Sequence, residues 1–251
     1  MRPIPSLCAA LLALSPCFVF SQGAAPRAIA ESAADDVLAP VRAAAIARWE
    51  NDIVHLEKKD ETLLANENAV LFIGSSSIRR WDSLATDMAP YPTINRGYGG
   101  AKYSDIAVFA DRLIQPHLYR ALVIFVGNDV SGKPEDHSPQ QVDAWVRHVI
   151  DVSHAHRSNA PVFLIEVTPT AKRFEAWGKI RAINQRLRDI ALTTPGTYFI
   201  ATAGSFLSAN GLPRTELFGS DRLHLNEAGY KLWAKLIRRR LDEVLGERSP
   251  Q

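Results

Sequence analysis

Short apolar runs alternate along this chain with longer stretches whose apolar positions recur at helical spacing. Ala69-Val70-Leu71-Phe72-Ile73 is the first run, rich in β-branched and aromatic residues, and it breaks at Gly74 into Ser75-Ser76-Ser77. A briefer one, Thr93-Ile94, leads into Gly97, Gly99 and Gly100, and others lie at 122–126, 162–165 and 198–200. Unbroken apolarity over so few residues reads as strand buried on both faces. Helical spacing carries Val41, Ala45, Ile46, Trp49, Ile53 and Leu56, which predicts an amphipathic helix over 39–60. Further helices are expected near 77–84 and over about 102–113, 139–156, 174–192 and 226–245. Strands that alternate with helices imply right-handed βαβ units. The expected fold is α/β, a three-layer α/β/α sandwich on a five-stranded parallel sheet.

Composition and charge narrow this only slightly. The 251 residues suit a single α/β domain, expected over 39–248, and no repeat or linker divides it. With 47% hydrophobic and 22% charged residues the composition is that of a soluble globular protein. A formal net charge of +2 gives no argument for a nucleic-acid partner or an anionic membrane. Arg238, Arg239 and Arg240 fall late in the last helix, where they complement its dipole.

The N-terminus reads as a secretory signal. Arg2 gives a positive start, an apolar stretch runs over 7–20 with Pro16 inside it, and the small residues Ser21, Gly23, Ala24 and Ala25 follow. The stretch is too short and broken to span a membrane, so no stable membrane insertion is expected. A signal peptide over 1–23 and a flexible lead-in over 24–38 are therefore expected, with the protein exported to periplasm or medium. Both cysteines, Cys8 and Cys17, fall inside the signal, which leaves the mature chain without disulfide or thiolate chemistry. A lipid anchor on Cys17 is the lesser alternative, since Pro16 before it fits that signal poorly.

The candidate chemistry lies where the strands end. Ser75 and Ser76, then Gly97, Gly99 and Gly100, then Asn128 and Asp129 each follow a predicted strand, on the edge where open α/β sheets bind ligands. Asp221 and His224 stand three apart just before the last helix. Acyl transfer requires an activated hydroxyl, a base, a group that orients the base, and oxyanion donors. Each piece alone has a plainer reading as turn or cap: serine, asparagine and aspartate all favour such positions, and Asp221 could cap the final helix. Their succession at successive strand ends is what points to acyl-transfer chemistry. His148, His154 and His156 lack the i, i+4 spacing of helical zinc pairs and are read as surface histidines. Lys102, Tyr103, Lys172, Arg173 and Trp177 stand in strand-end loops that could border the site or pack.

These blocks resemble those of the SGNH hydrolases, the GDSL lipase/esterase family, over residues 66–245. Gly74-Ser75-Ser76 is similar to the Gly-Asp-Ser nucleophile block, with Ser75 in place of the aspartate; Ser75, Ser76 and Ser77 compete, and register favours Ser76. Asn95-Arg96-Gly97-Tyr98-Gly99-Gly100 resembles the glycine block, and Val126-Gly127-Asn128-Asp129 resembles Gly-x-Asn-Asp with Val126 replacing its glycine. Asp221-Arg222-Leu223-His224 matches Asp-x-x-His. The resemblance implies a flavodoxin-like sheet, Ser76 as nucleophile, His224 as base and Asp221 as its partner. It further implies an oxyanion hole from Ser76, Gly100 and Asn128, with no metal and no cofactor. The expected activity is hydrolysis of small or carbohydrate-linked acyl esters, the ester substrate being the expected partner. A lipase, thioesterase or acyltransferase would use the same machinery, and a binding module could keep the fold. No long apolar lid is evident, which favours an esterase over an interfacial lipase.

Overall fold

The computed structural model describes residues 25–246, with side chains from residue 37 onward. The signal-like segment 1–23, with Cys8 and Cys17, lies outside the described residues. In chain order the elements are α1 (Ala25–Asp60), β1 (Val70–Gly74), α2 (Ser76–Arg79), α3 (Leu84–Asp87), β2 (Thr93–Gly97), α4 (Tyr103–Val108) and α5 (Ala110–Ile114). They continue with β3 (Ala121–Phe125), α6 (Pro139–His156), β4 (Val162–Ile165), α7 (Trp177–Thr193), β5 (Thr197–Ile200) and α8 (Glu227–Leu245).

The five strands form one parallel sheet in the order β2-β1-β3-β4-β5. The chain thus leaves β1 to one side for β2 and returns to the other side for β3. This is the switch point at which the following loops part and a crevice opens. Gly74 is level with Gly97 on one side and Phe125 on the other, so the loops that follow these strands start together.

Side chains alternate across the sheet and bury on both faces. Leu71, Ile73, Leu122, Ile124 and Leu164 join a core beneath α1, α4, α6 and α7. Val70, Phe72, Val123 and Phe163 pack on the opposite face against Ile78, Trp81, Trp233, Ile237 and Leu241. α6 begins at Ser138, whose hydroxyl accepts from Gln141 N while Gln141 reaches back to Ser138 N, and Pro139 occupies the first helical position. Among the described residues no helix is long and apolar enough to cross a membrane.

Four expectations change. Residues 25–38, expected as a flexible lead-in ahead of the helix, belong to it: α1 is helical from Ala25 and runs through Pro40. The absence of an apolar stripe there concealed a segment whose many alanines favour helix. The helix expected over 77–84 is two short ones, α2 and α3, and that over 102–113 breaks at Phe109 (φ −103°, ψ 11°) into α4 and α5. The helix expected from 174 starts as a 3-10 turn, Ala171–Ala176, kinked at Arg173.

Candidate active site

β1 delivers Ser76 to the crevice with little freedom. Gly74 has φ +146°, and a Cβ there would lie 2.0 Å from Phe125 O, so only glycine lets β1 turn against β3 at this level. Ser75 N then donates to Phe125 O at 3.0 Å, and the chain enters α2 with Ser76 as its first residue. N–H groups in a first helical turn lack intrahelical acceptors and favour negative charge. Tyr230 of α8 donates to Ser77 O at 2.8 Å and stacks on Trp81, tying α2 down from the other side. Of the competing serines, Ser75 is buried, and Ser76 is the one whose hydroxyl meets a histidine.

That histidine arrives from a tight turn ahead of α8. Gly219 N donates to His224 O at 2.8 Å, and Arg222 takes a left-handed conformation (φ 56°) at its corner. The turn brings Asp221 back on itself: Oδ1 accepts from His224 N at 2.9 Å and Leu223 N at 3.0 Å, and Oδ2 lies 2.6 Å from His224 Nδ1. With Nδ1–H donating to the carboxylate, Nε2 accepts from Ser76 Oγ at 2.9 Å. Burial would raise the Asp221 pKa, but the hydrogen bonds from His224 and Leu223 outweigh it and hold the carboxyl well below its usual range. Asp221 does not cap α8; Asn226 does, accepting from Gly229 N at 3.0 Å.

The glycine and asparagine loops face this pair. A Cβ on Gly100 would stand 4.0 Å from Asn128 Nδ2, which donates to Ala101 O at 3.0 Å. Asn128 Oδ1 accepts from Arg173 Nη2 at 2.8 Å, and Arg173 Nη1 also donates to Gly127 O. Behind them Asp129, which is buried, accepts from Tyr103 N and from His137 Nδ1 at 2.9 Å, anchoring the loop to α4. Val126 is buried in the core below this loop. On the far side, Trp49 of α1 lies where a Gly99 Cβ would be, at 2.0 Å, and meets Tyr98 edge to face.

The cleft encloses about 490 Å³ with its open mouth. Ser76, Asn128 and His224 line it, with Thr168, Thr170 and Arg173; Phe125, Val167, Ile180, Phe218 and Trp233 give it apolar walls. Asp221 stands behind His224, and Gly100 beside Asn128.

Other sequence-stretch residues are placed differently. Tyr103 is fully buried, Lys172 is exposed with its N–H on Arg222 O, and Trp177 packs partly on the core. His148, His154 and His156 are half-buried rather than on the surface; His156 Nε2 bonds His117 O at 2.8 Å. Thr168, Thr170 and His137 gave no sequence signal, being single polar residues outside any block. Among the described residues no His, Cys, Asp or Glu side chains gather in a metal-holding group of three or more.

No functionally curated protein matches the sequence. Solved structures do. A GDSL-like lipase from Bacteroides thetaiotaomicron is similar over 76% of this chain and 97% of its own, at 18% identity and TM-score 0.65. A lipase/acylhydrolase from Enterococcus faecalis covers 70% and 96%, at 18% identity and TM-score 0.55. A carbohydrate esterase family 3 protein from Talaromyces cellulolyticus covers 72% and 99%, at 16% identity and TM-score 0.55. At such identities these likenesses concern the fold. A family model for GDSL-like lipases and acylhydrolases matches residues 72–232 in sequence, a span that contains the end of β1, all five strands' crevice loops and the Asp221–His224 turn. The chain therefore belongs to the GDSL-like lipase/acylhydrolase family.

Proposed function

We propose that this protein is an exported serine esterase that hydrolyses short-chain or carbohydrate-linked carboxylic esters. The observation that carries the reading is the hydrogen-bond chain Ser76 Oγ–His224 Nε2 (2.9 Å) and His224 Nδ1–Asp221 Oδ2 (2.6 Å), open to the cleft beside the Asn128 amide. Ser76 attacks the ester carbonyl while His224 takes its proton, and Asp221 stabilises the imidazolium. Ser76 N–H, Gly100 N–H and the Asn128 amide hold the oxyanion; one such donor contributes about 3 kcal/mol to lowering the barrier. His224 then protonates the leaving alcohol, and water releases the acyl group in a second cycle. The chain's own residues supply every proton transfer.

Two features support a small acyl group. The cleft is walled by Phe125, Phe218 and Trp233 rather than opening into a long apolar channel. Similar folds belong to the carbohydrate esterase above and to a protein described as an acetyl esterase, crystallised as a mutant with acetate ion (14% identity, TM-score 0.55). Export rests on the charged and apolar pattern over residues 2–25.

The test is hydrolysis of p-nitrophenyl acetate, butyrate and longer esters by the mature protein and by Ser76→Ala. The wild type should favour the short esters, and the variant should lose at least about 10³-fold in kcat. Equal turnover by both proteins would remove Ser76 as the nucleophile.

A further inference from the structure

Arg173 reaches the cleft from the kinked 3-10 turn after β4, and the proposed reaction leaves its charge unused. Its guanidinium donates to Gly127 O and to Asn128 Oδ1, both neutral oxygens. Taking a guanidinium out of water is costly without a carboxylate beside it. Burial pulls the Arg173 pKa down, against the distant pull of Asp136 and Asp129. Two hydrogen bonds to neutral acceptors do not require a cation, so the loop's structure alone does not account for the charge. Negative charge does develop at this spot, on the carbonyl oxygen of the tetrahedral intermediate.

Asn128 links the two facts. Its amide can serve an oxyanion only with Nδ2 turned toward the cleft. One Nδ2 hydrogen is held by Ala101 O at 3.0 Å, next to Gly100, and Oδ1 is held by Arg173 at 2.8 Å. The second Nδ2 hydrogen is thereby left for the cleft. We propose that Arg173 is the positioning residue of the oxyanion site: it fixes the Asn128 amide in the donating orientation, and its positive charge favours the oxyanion that forms there. Arg173 acts through Asn128 and through the field at the site, with no contact to the substrate required. The chain Arg173–Asn128–Ala101 also couples the loops after β4, β3 and β2, so that the asparagine and glycine donors are set together. This assignment rests on the serine-esterase reading.

The test compares Arg173→Gln, Arg173→Lys, Arg173→Ala and Asn128→Ala on the best p-nitrophenyl ester, with competent enzyme counted by a fluorophosphonate label. Arg173→Gln should lower kcat about 30-fold with KM within about twofold, the signature of lost transition-state stabilisation. Arg173→Lys should recover part of the loss, since it keeps the charge without the planar fork. Added guanidinium should raise the kcat of Arg173→Ala and leave Asn128→Ala unchanged. In the Asn128→Ala background, Arg173→Gln should cost less than about threefold, because the two act as a unit. Unchanged kcat in the titrated Arg173 variants, a change in KM alone, or losses that multiply would each overturn the assignment. Should the glutamine and alanine variants fail to fold, Arg173→Lys decides by the same kcat criterion. Ser76→Ala separates the two failures. An inactive Ser76→Ala beside fully active Arg173 variants sinks this inference alone, whereas a fully active Ser76→Ala sinks the esterase reading and this assignment with it.

Discussion

Two of the Asp–His pairs in this molecule, one at the cleft and one beneath α1, have opposite fates. In the cleft, His224 and Asp221 lie 2.6 Å apart with side chains 17% and 37% exposed, and the free imidazole nitrogen faces Ser76. Below α1, His117 and Asp60 approach to 3.5 Å with side chains 2% and 17% exposed. There Asp60 Oδ1 is taken by Arg96 Nε at 2.8 Å, and His117 Nε2, which is buried, finds no hydrogen-bond partner. The residue types are the same. What differs is the claim on the carboxylate: Asp221 is committed to its histidine, whereas Asp60 is committed to an arginine that joins the end of α1 to β2. One pair stands open to the cleft, where the proposed reaction needs a proton moved, and the other ties a helix to the sheet.

The comparison breaks most visibly at Asp221. Asp221→Asn should lower kcat about 10³–10⁴-fold, because the amide no longer favours the tautomer with Nδ1–H. Its melting temperature should stay close to wild type, as the turn is exposed and bonded mainly within itself; a large fall in stability would erase the distinction. Next in size is Arg96→Met, which strands the Asp60 carboxylate against a largely buried surface. Urea unfolding should show a loss of about 3 kcal/mol.

The third effect is a pH dependence. Burial, with Arg96 and His156 nearby, outweighs the pull of Asp60 and pushes the His117 pKa down from 6.5 to about 4. The unfolded chain therefore binds this proton more readily than the folded one. Stability from this site is complete above about pH 6.5 and declines as the pH falls toward 4, where both states are protonated. Melting curves of His117→Gln should be flatter across that window than those of wild type, and parallel curves would exclude His117 as the source. The smallest effect belongs to Arg80, half-exposed and 3.9 Å from Asp221 Oδ2. Exposed pairs contribute little, so Arg80→Gln should change kcat by less than about twofold.

These pairs also mark what could be read from the chain. Asp221 and His224 were legible because three-residue spacing in a turn is local, and the Gly-Ser-Ser end of β1 was legible because an apolar run must stop somewhere. Asp60 and His117 carried no signal, since α1 and the loop before β3 meet only once the sheet has formed. Arg173 was visible merely as a loop cation, for its acceptor on Asn128 lies 45 residues away in sequence. α1 is longer than its apolar stripe predicts, because its first residues are helical by propensity without such a stripe to announce them.

Hydrophobic periodicity by itself determined the alternation of strands and helices, the parallel sheet, and the strand ends at which polar residues gather. Those properties depend on neighbours within a few residues, so the sequence states them directly. Tertiary structure brought the serine that register favours, Ser76, against His224, and it alone decided which way the Asn128 amide is turned and which histidine is walled off from water. Each depends on side chains brought together by strand register and loop path, at distances where an ångström separates a hydrogen bond from none.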